Sequence, residues 1–198
     1  MYTTSYSQVS LYPDKGSITG GITGGLSNST VTVGSNNSSN PLSPASRTGF
    51  NAGIFADFYF SDRWSLKTVL GYTQKGWKNP PDFEDGNYNL NYITIPVMAN
   101  WHFGKTRNWY LNFGPYVGIL TSANATKISD DLKPYFNSAD FGLDIGIGVR
   151  FPISDNVRLH LEINGAASFG DIFKNNTSGY SVNNSTGTYN IGFEFPLK

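Results

Sequence analysis

An alternating segment at residues 140–169 most constrains what this chain can fold into. Strand side chains point to opposite faces with period two, and this segment separates apolar residues from small or charged ones. The apolar column comprises Phe141, Leu143, Ile145, Ile147, Val149, Phe151, Val157, Leu159, Leu161 and Ile163. A PISDN sequence interrupts the alternation once. The segment therefore predicts a β-hairpin with one apolar face and one polar face.

A turn centred at Ser154 gives this hairpin a register that sorts both faces at once. A slip of one residue would move every side chain to the wrong face. The predicted pairs are Val149 with Leu159, Ile147 with Leu161, Ile145 with Ile163, Arg150 with Arg158, Gly148 with His160 and Gly146 with Glu162.

The apolar face has two interpretations. In a soluble β-sandwich, or in a soluble lipocalin-like barrel that binds ligands, it would face a core. In an outer-membrane barrel it would face lipid, with the polar column in the lumen. The apolar column is aliphatic in the middle and aromatic at its ends, at Phe141 and Phe151, and its polar partner is rich in glycine and in charges that can pair. These features favour the membrane interpretation.

Composition excludes several other classes. Fourteen basic and fourteen acidic residues balance, so the sequence predicts no nucleic-acid partner. The absence of cysteine excludes disulfides and thiolate metal sites. No apolar run approaches the ~20 residues of a membrane helix, whereas a barrel strand needs only ~9–11 residues, half of them polar.

The remaining chain continues the same pattern and gives eight strands. Short turns are predicted near Asp62, Thr106 and Ser154, and they alternate with long polar loops at 27–46, 78–89, 121–139 and 170–187. The sequence therefore predicts an all-β fold, an eight-stranded antiparallel up-and-down transmembrane barrel with short periplasmic turns and long extracellular loops. We expect residues 1–15 to form an N-terminal extension and residues 16–198 to form one barrel domain.

The two central hairpins carry specific expectations. Asp57 should lie opposite Lys67, and a turn near Thr106 should pair Phe103 with Trp109, Trp101 with Leu111, Ala99 with Phe113, His102 with Tyr110 and Asn100 with Asn112. Pro96 and Pro115 fall at nearly the same height in this register. Because proline removes a ladder donor, we expect a bulge or a gap there. One helical turn is expected within SDDLKPYF, residues 129–136.

The location follows from the membrane interpretation. We predict a protein of the bacterial outer membrane, and therefore an exported chain. Met1 is followed by a polar stretch rather than the apolar segment of a signal peptide. We hypothesise that this numbering describes a mature chain with an added initiator methionine.

Four stretches resemble the outer-membrane barrel proteins called "porin family" or PorT-like, which are common in Bacteroidetes-type bacteria. They read GYTQKG at 71–76, YITIPVMANWHFG at 92–104, YLNFGPYVGIL at 110–120 and DFGLDIGIGVRFPI at 140–153. The resemblance implies an eight-stranded outer-membrane barrel and carries over no catalytic residues. One departure is that such barrels commonly end in an aromatic residue, whereas Phe195 here is followed by Pro196, Leu197 and Lys198.

Two sets of candidate residues follow from the barrel. An eight-stranded lumen is just wide enough to be filled by side chains, so we predict a charge network that plugs it; a gated narrow passage is the alternative. The predicted network comprises Asp57, Lys67, Lys75, Asp144, Arg150, Arg158, His160, Glu162 and Glu194. The predicted lipid-interface aromatic girdle comprises Phe58, Phe60, Trp64, Trp101, Phe103, Trp109, Phe141, Phe151 and Tyr189.

Catalysis is not predicted. His160 and Glu162 raise the alternative of an outer-membrane lipid-modifying enzyme, but their hairpin places no serine beside His160 on the inner face. Both residues, like His102, should lie near the periplasmic rim, away from the outer leaflet. Two histidines on separate strands match no metal motif. We therefore expect a non-enzymatic protein without a cofactor or metal.

The function is expected to lie in the loops or in a partner. The predicted partners are outer-membrane lipids, including lipopolysaccharide, and the assembly machinery during biogenesis. The barrel itself is expected to be a monomer.

Overall fold

The chain forms one closed barrel in which every strand is antiparallel to its two neighbours and the last strand pairs with the first. A computed structural model describes residues 13–35, 44–79, 86–177 and 180–198. The strands are β1 Ile18–Ser35, β2 Ala45–Ser61, β3 Trp64–Lys78, β4 Asn87–Phe103, β5 Trp109–Ala125, β6 Ala139–Ser154, β7 Val157–Ser168 and β8 Tyr180–Pro196. The predicted fold class is confirmed.

The two ends of the barrel differ. Short turns join β2 to β3, β4 to β5 and β6 to β7 at one end, which we call the short-turn rim. The other connections meet at the opposite end, the long-loop rim. Both described termini lie at the short-turn rim, where the Ile18 amide donates to the Lys198 carbonyl at 2.8 Å. Of the predicted extension at residues 1–15, residues 1–12 lie outside the described part of the chain.

The apolar columns face outward. Ile147 and Leu161 are each 42% exposed, whereas Arg150 and Glu162 on the opposite face are 4% and 6% exposed. A soluble sandwich or a lipocalin-like barrel would bury the first pair and expose the second, so both alternatives are wrong. Among the described residues, no helix is long and apolar enough to cross a membrane.

The predicted register of the two central hairpins is confirmed. Asp57 lies opposite Lys67, and β4 and β5 pair as expected at Ala99–Phe113, Asn100–Asn112, Trp101–Leu111, His102–Tyr110 and Phe103–Trp109. The pairing of β4 with β5 is interrupted between Pro96 and Ala99 without a change of register. Pro115 remains paired with Leu143 of β6. Pro115 lies in this gap, whereas Pro96 is paired with Tyr116 and lies in a second gap, between β3 and β4 from Thr68–Val97 to Gly71–Thr94. The expected gap is therefore present at both prolines.

The predicted register of the β6–β7 hairpin is wrong by two residues. Each β6 residue pairs two positions later in β7 than expected, because the turn closes at Ser154–Val157 and is not centred at Ser154, and an irregularity between Pro152 and Ser154 then shifts the register by one residue. A shift of two residues keeps every side chain on its predicted face, so the error affects partners and not orientation. The observed pairs are Val149–Leu161, Ile147–Ile163, Ile145–Gly165, Arg150–His160, Gly148–Glu162 and Gly146–Asn164.

Several segments predicted as loops are strand. Residues 27–35 continue β1 and residues 180–187 continue β8, and the two extensions pair with each other as far as Ser35–Tyr180. Shorter extensions bring β2 back to Ala45, β4 back to Asn87 and β5 on to Ala125. Their Asn, Ser and Thr side chains are typical of loops, but the neighbouring strand satisfies their backbone groups. The expected helical turn is confirmed as a 3₁₀ turn at Lys133–Tyr135.

Glycines on the inner face make room for large side chains from neighbouring strands. A Cβ atom placed on Gly148 would overlap the Tyr110 ring, and one placed on Gly192 would overlap the His160 ring. A barrel of eight strands has little interior space. The glycines of the polar column therefore make room for the rings of residues paired with them on the neighbouring strand.

The outward orientation of Ile147 can be tested by placing a charge there. We expect Ile147→Arg, in the middle of the apolar band, to lower the free energy of unfolding in phospholipid vesicles by about 2–4 kcal/mol. The matched control Ile153→Arg, beside the short turn, should cost only about 0–1 kcal/mol. Urea titration of the refolded barrels measures both, and equal costs at the two sites would contradict the assignment.

Candidate functional site

The polar lumen holds the candidate site, and its ionic groups form three layers. The lower layer, near the short-turn rim, centres on the buried side chain of Arg150. Its Nη1 donates to Glu194 Oε1 and Oε2, both at 3.0 Å, and it also contacts the Tyr59 hydroxyl. Arg158 donates to Glu194 Oε1 at 2.9 Å. Asp57 completes the layer and accepts from Asn100 Nδ2 at 3.0 Å.

The middle layer centres on an ion pair between Lys67 and Glu162. Glu162 also accepts from Asn112 Nδ2 at 3.0 Å and from Asn164 Nδ2 at 2.8 Å. The Lys67 ammonium lies over the ring of Tyr110, 5.2 Å from its centroid. These contacts satisfy a carboxylate and an ammonium that would be costly to bury alone.

The upper layer is a second buried ion pair. Lys75 Nζ lies 2.8 Å from Asp140 Oδ2. Asp140 also accepts hydrogen bonds from Ser168 at 2.5 Å, Tyr116 at 3.2 Å and Asn184 at 3.2 Å. Asp140 is absent from the network predicted from the sequence, although it begins the alternating segment. Asp140 was missed because its ion-pair partner Lys75 lies on β3, three strands away from β6.

An apolar cluster lies above the three layers, at the long-loop rim. Its buried members are Val31, Trp77, Leu90, Tyr92, Leu120, Ala123, Phe136 and Ile172, with Tyr88, Leu132, Phe173 and Val182 packed against them. Trp77 stacks on Tyr88 with ring centroids 4.4 Å apart, and the Phe136 and Phe173 centroids are 4.9 Å apart. We call these residues the mouth cluster.

Two of the long loops meet in the mouth cluster and are joined to each other. The Asn137 amide nitrogen donates to the carbonyls of Asp171 and Phe173, at 2.7 Å and 3.1 Å. The Lys174 backbone amide donates to the Tyr135 carbonyl at 2.9 Å. Sequence analysis treated both segments as polar loops and missed this cluster. The available signal was an isolated apolar pair in each segment, Tyr135 with Phe136 and Ile172 with Phe173.

The structure also brings a serine next to a histidine, which sequence analysis did not anticipate because the two lie on different hairpins. Ser65 Oγ is 2.9 Å from His102 Nε2. However, the Arg150 guanidinium lies against the same ring, in contact with Nδ1 and 3.3 Å from Nε2. Among the described residues no carboxylate contacts His102, so the pair lacks the group that would orient the ring as a base.

The remaining predicted lumen residues, His160 and Asp144, make few contacts that could support catalysis. His160 packs edge-on against Phe55, with ring centroids 5.1 Å apart, and its Nε2 lies 3.3 Å from Thr23 Oγ1. Asp144 faces the lumen without an ion-pair partner among the described residues. Neither residue forms a nucleophile–base–orienter arrangement.

The predicted girdle residues lie on the outer surface in two groups. Seven lie toward the short-turn rim, and Phe141 and Tyr189 lie toward the long-loop rim. Phe103 is half-buried and the other eight are exposed. Trp64 stacks near Trp101, with centroids 6.2 Å apart. Phe50 and Tyr72, which the prediction omitted, pair at 5.6 Å in the upper group. A role at the lipid interface stays a prediction.

The energetics of the middle layer can be tested with the Lys67–Glu162 pair. Lys67→Met leaves a buried carboxylate unpaired, and we expect a loss of about 3–5 kcal/mol in the free energy of unfolding. The double variant Lys67→Met/Glu162→Gln should recover most of that loss, and Lys105→Met in the exposed turn should change little. Urea unfolding in vesicles provides the comparison. Equal losses for the single and double variants would show that the pair is not coupled.

A family model described as "Outer membrane protein beta-barrel domain" matches residues 7–174. Comparison with curated protein sequences finds no match. The crystal structure of the outer membrane protein OprG from Pseudomonas aeruginosa is similar, with a TM-score of 0.57, 13% identity, and coverage of 93% of this chain and 98% of that chain.

A second similar structure is Neisserial surface protein A (NspA), with a TM-score of 0.56, 18% identity, and coverage of 91% of this chain and 97% of that chain. At these identities the structural likeness shows the fold alone. The family model covers most of the sequence. The chain therefore belongs to the family with an outer membrane protein beta-barrel domain, and it is a small eight-stranded barrel of the bacterial outer membrane.

Proposed function

We propose that this protein is a non-enzymatic outer-membrane barrel whose lumen is closed and whose function lies at its long-loop rim, where it meets a partner. Outer-membrane barrels place short turns in the periplasm and long loops outside the cell. The long-loop rim is therefore the extracellular end in this proposal. The resemblance of four strand motifs to PorT-like proteins supports a finer assignment to that type.

The mouth cluster is the single observation that carries this proposal. Leu90, Ala123 and Phe136 are at most 1% exposed, although they lie at the long-loop rim. Apolar side chains from five strands and two loops meet there. Water and ions have no polar path through such a cluster, so it supports a closed lumen.

The ionic layers below the cluster support the same proposal. The Lys67–Glu162, Lys75–Asp140 and Arg150–Glu194 pairs are almost fully buried, with side-chain exposures of 5% or less. Open aqueous channels belong to barrels of about 16 strands or more. Here the lumen charges bind each other, which favours a plug over a conducting pore.

The proposal of a non-enzymatic protein rests on the Ser65–His102 pair and on the position of His160. In the first, an arginine and not a carboxylate contacts the histidine, and in the second, no carboxylate orients His160 toward the Thr23 hydroxyl among the described contacts. A lipid-acting site should also open toward the outer leaflet, whereas both histidines lie inside the barrel toward the short-turn rim. No activity on lipopolysaccharide is expected.

The extracellular strand extensions support a role in contact with partners. β1 and β8 remain paired as far as Ser35 and Tyr180, well beyond the apolar band that ends near Tyr189. This gives a rigid two-stranded projection whose exposed residues include Asn28, Thr32 and Ser181. We propose outer-membrane lipids, including lipopolysaccharide, as neighbours of the band, the assembly machinery as a partner during insertion, and a monomeric barrel.

Single-channel recording in planar lipid bilayers tests the closed lumen. We expect the wild-type barrel to insert without conductance steps, because the mouth cluster and the three ionic layers both fill the lumen. Phe136→Ala/Phe173→Ala removes two aromatic rings from the mouth but leaves the ionic layers in place, so this variant, like Tyr135→Ala at an exposed neighbour in the same loop, should also give no steps. Regular conductance steps from the wild type would overturn the proposal and favour a gated narrow passage instead.

A further inference from the structure

A small cavity lies inside the barrel at the height of the middle layer. Its volume is about 70 Å³, and residues from every strand except β5 line it. A cavity bordered by seven strands lies in the lumen. Its lining includes the charged side chains of Lys67, Asp144 and Glu162 and the hydroxyl-bearing side chains of Thr73 and Thr94. The cavity is therefore polar.

Asp144 is the charged residue of this lining that lacks a partner. Lys67 and Glu162 pair with each other, whereas Asp144 forms neither an ion pair nor a hydrogen bond among the described residues. Its side chain faces the lumen and is half-buried, and it borders the cavity. A carboxylate without a cation or a hydrogen-bond donor is costly to hold in a narrow lumen. Asp144 therefore requires donors from the cavity.

A backbone acceptor without its ladder donor borders the same cavity. The His102 amide donates to the Arg63 carbonyl beside β3. Because alternate residues of a strand direct their backbone groups to the same side, Pro96 also faces β3, and the register on either side of the gap places it opposite Val69. Proline has no N–H, so the Val69 carbonyl receives no ladder bond from its partner. Val69 and Pro96 both line the cavity.

The outer face of the wall does not supply the donor that Val69 lacks. Thr68 is exposed on that face, and its hydroxyl donates to the Pro96 carbonyl at 3.0 Å. Hydrocarbon offers no donor, and backbone groups freed by a proline in a membrane-spanning segment are satisfied by side chains or by ordered water. The donor for the Val69 carbonyl therefore comes from inside the barrel.

We propose that the cavity binds a small cluster of water molecules, which donate hydrogen bonds to the Asp144 carboxylate and to the Val69 carbonyl. The lining offers donors, such as the Lys67 ammonium, as well as acceptors, and water both donates and accepts. At about 30 Å³ for each molecule, the cavity holds about two waters. The waters are then part of the barrel wall, because they replace the ladder bond that Pro96 cannot make.

The test is solution NMR of the full chain refolded in detergent micelles, with protonated valine methyl groups in an otherwise deuterated protein. We expect cross-peaks between water and the methyl protons of Val69, which borders the cavity. Val97, which is 42% exposed on the lipid-facing surface, should give none. Bound water gives NOE and ROE cross-peaks of opposite sign, whereas rapidly exchanging water gives cross-peaks of the same sign. Opposite signs are expected at Val69.

Filling the cavity provides the matched comparison. Gly71 lines the cavity, and a Cβ atom placed there meets no atom closer than 3.3 Å, so Gly71→Leu puts a side chain where the waters bind. The cross-peaks between Val69 and water should disappear in this variant. Gly165→Leu, on the outer face where a Cβ atom meets nothing within 4 Å, should keep them.

The outcomes separate bound water from its alternatives. Absence of cross-peaks at Val69 in the wild type would overturn the water site and would leave the proposal of a closed lumen intact. Cross-peaks of the same sign would overturn the water site and would also contradict the closed lumen, because they indicate freely exchanging water. Cross-peaks that persist in Gly71→Leu would show that water reaches Val69 from elsewhere and would overturn the site as well. If Gly71→Leu does not fold, the wild-type signs decide.

Discussion

The requirement that every backbone hydrogen-bonding group be satisfied inside a bilayer is the constraint on which this structure depends. Hydrocarbon offers no donor or acceptor, so a spanning strand needs a neighbour on each side. The chain meets this requirement by pairing each strand with the next and β8 with β1. With the backbone groups paired, the side chains match their surroundings, so apolar residues face outward and polar residues face the lumen. Even Pro96, which has no N–H to donate, interrupts the ladder between β3 and β4 only locally and does not move its register.

Closure of a barrel this narrow creates the second problem, which is how to fill the lumen. The chain solves it in a graded way, with ion pairs near the short-turn rim and in the middle, and aromatic packing at the long-loop rim. Glycines such as Gly148 accept the bulk of rings such as Tyr110 from the neighbouring strand. The interior is therefore a polar core with an apolar cap at the long-loop rim.

Sequence alternation was sufficient to predict the strand number, the face of each side chain and the register of two hairpins. It failed where a tertiary feature decided the outcome. The β6–β7 register depends on an irregularity between Pro152 and Ser154 that period two does not encode. Residues 27–35 have loop-like composition, yet β8 supplies their backbone partners. The Lys67–Glu162 pair and the Ser65–His102 contact join residues that lie far apart in the chain. Alternation along a strand predicts which side chains face the lumen, but it does not predict which of them contact each other.

The ladder between the first and the last strand, from Thr19–Pro196 to Ser35–Tyr180, has a consequence for how the molecule is made. β1 is synthesised before β8, so it acquires its second neighbour only when β8 has been synthesised and delivered. Until then two strand edges remain open, and an open edge is not tolerated in hydrocarbon. The seam therefore acts as a completeness check, because a prematurely terminated chain lacks the piece that would seal it and cannot reside stably in the membrane.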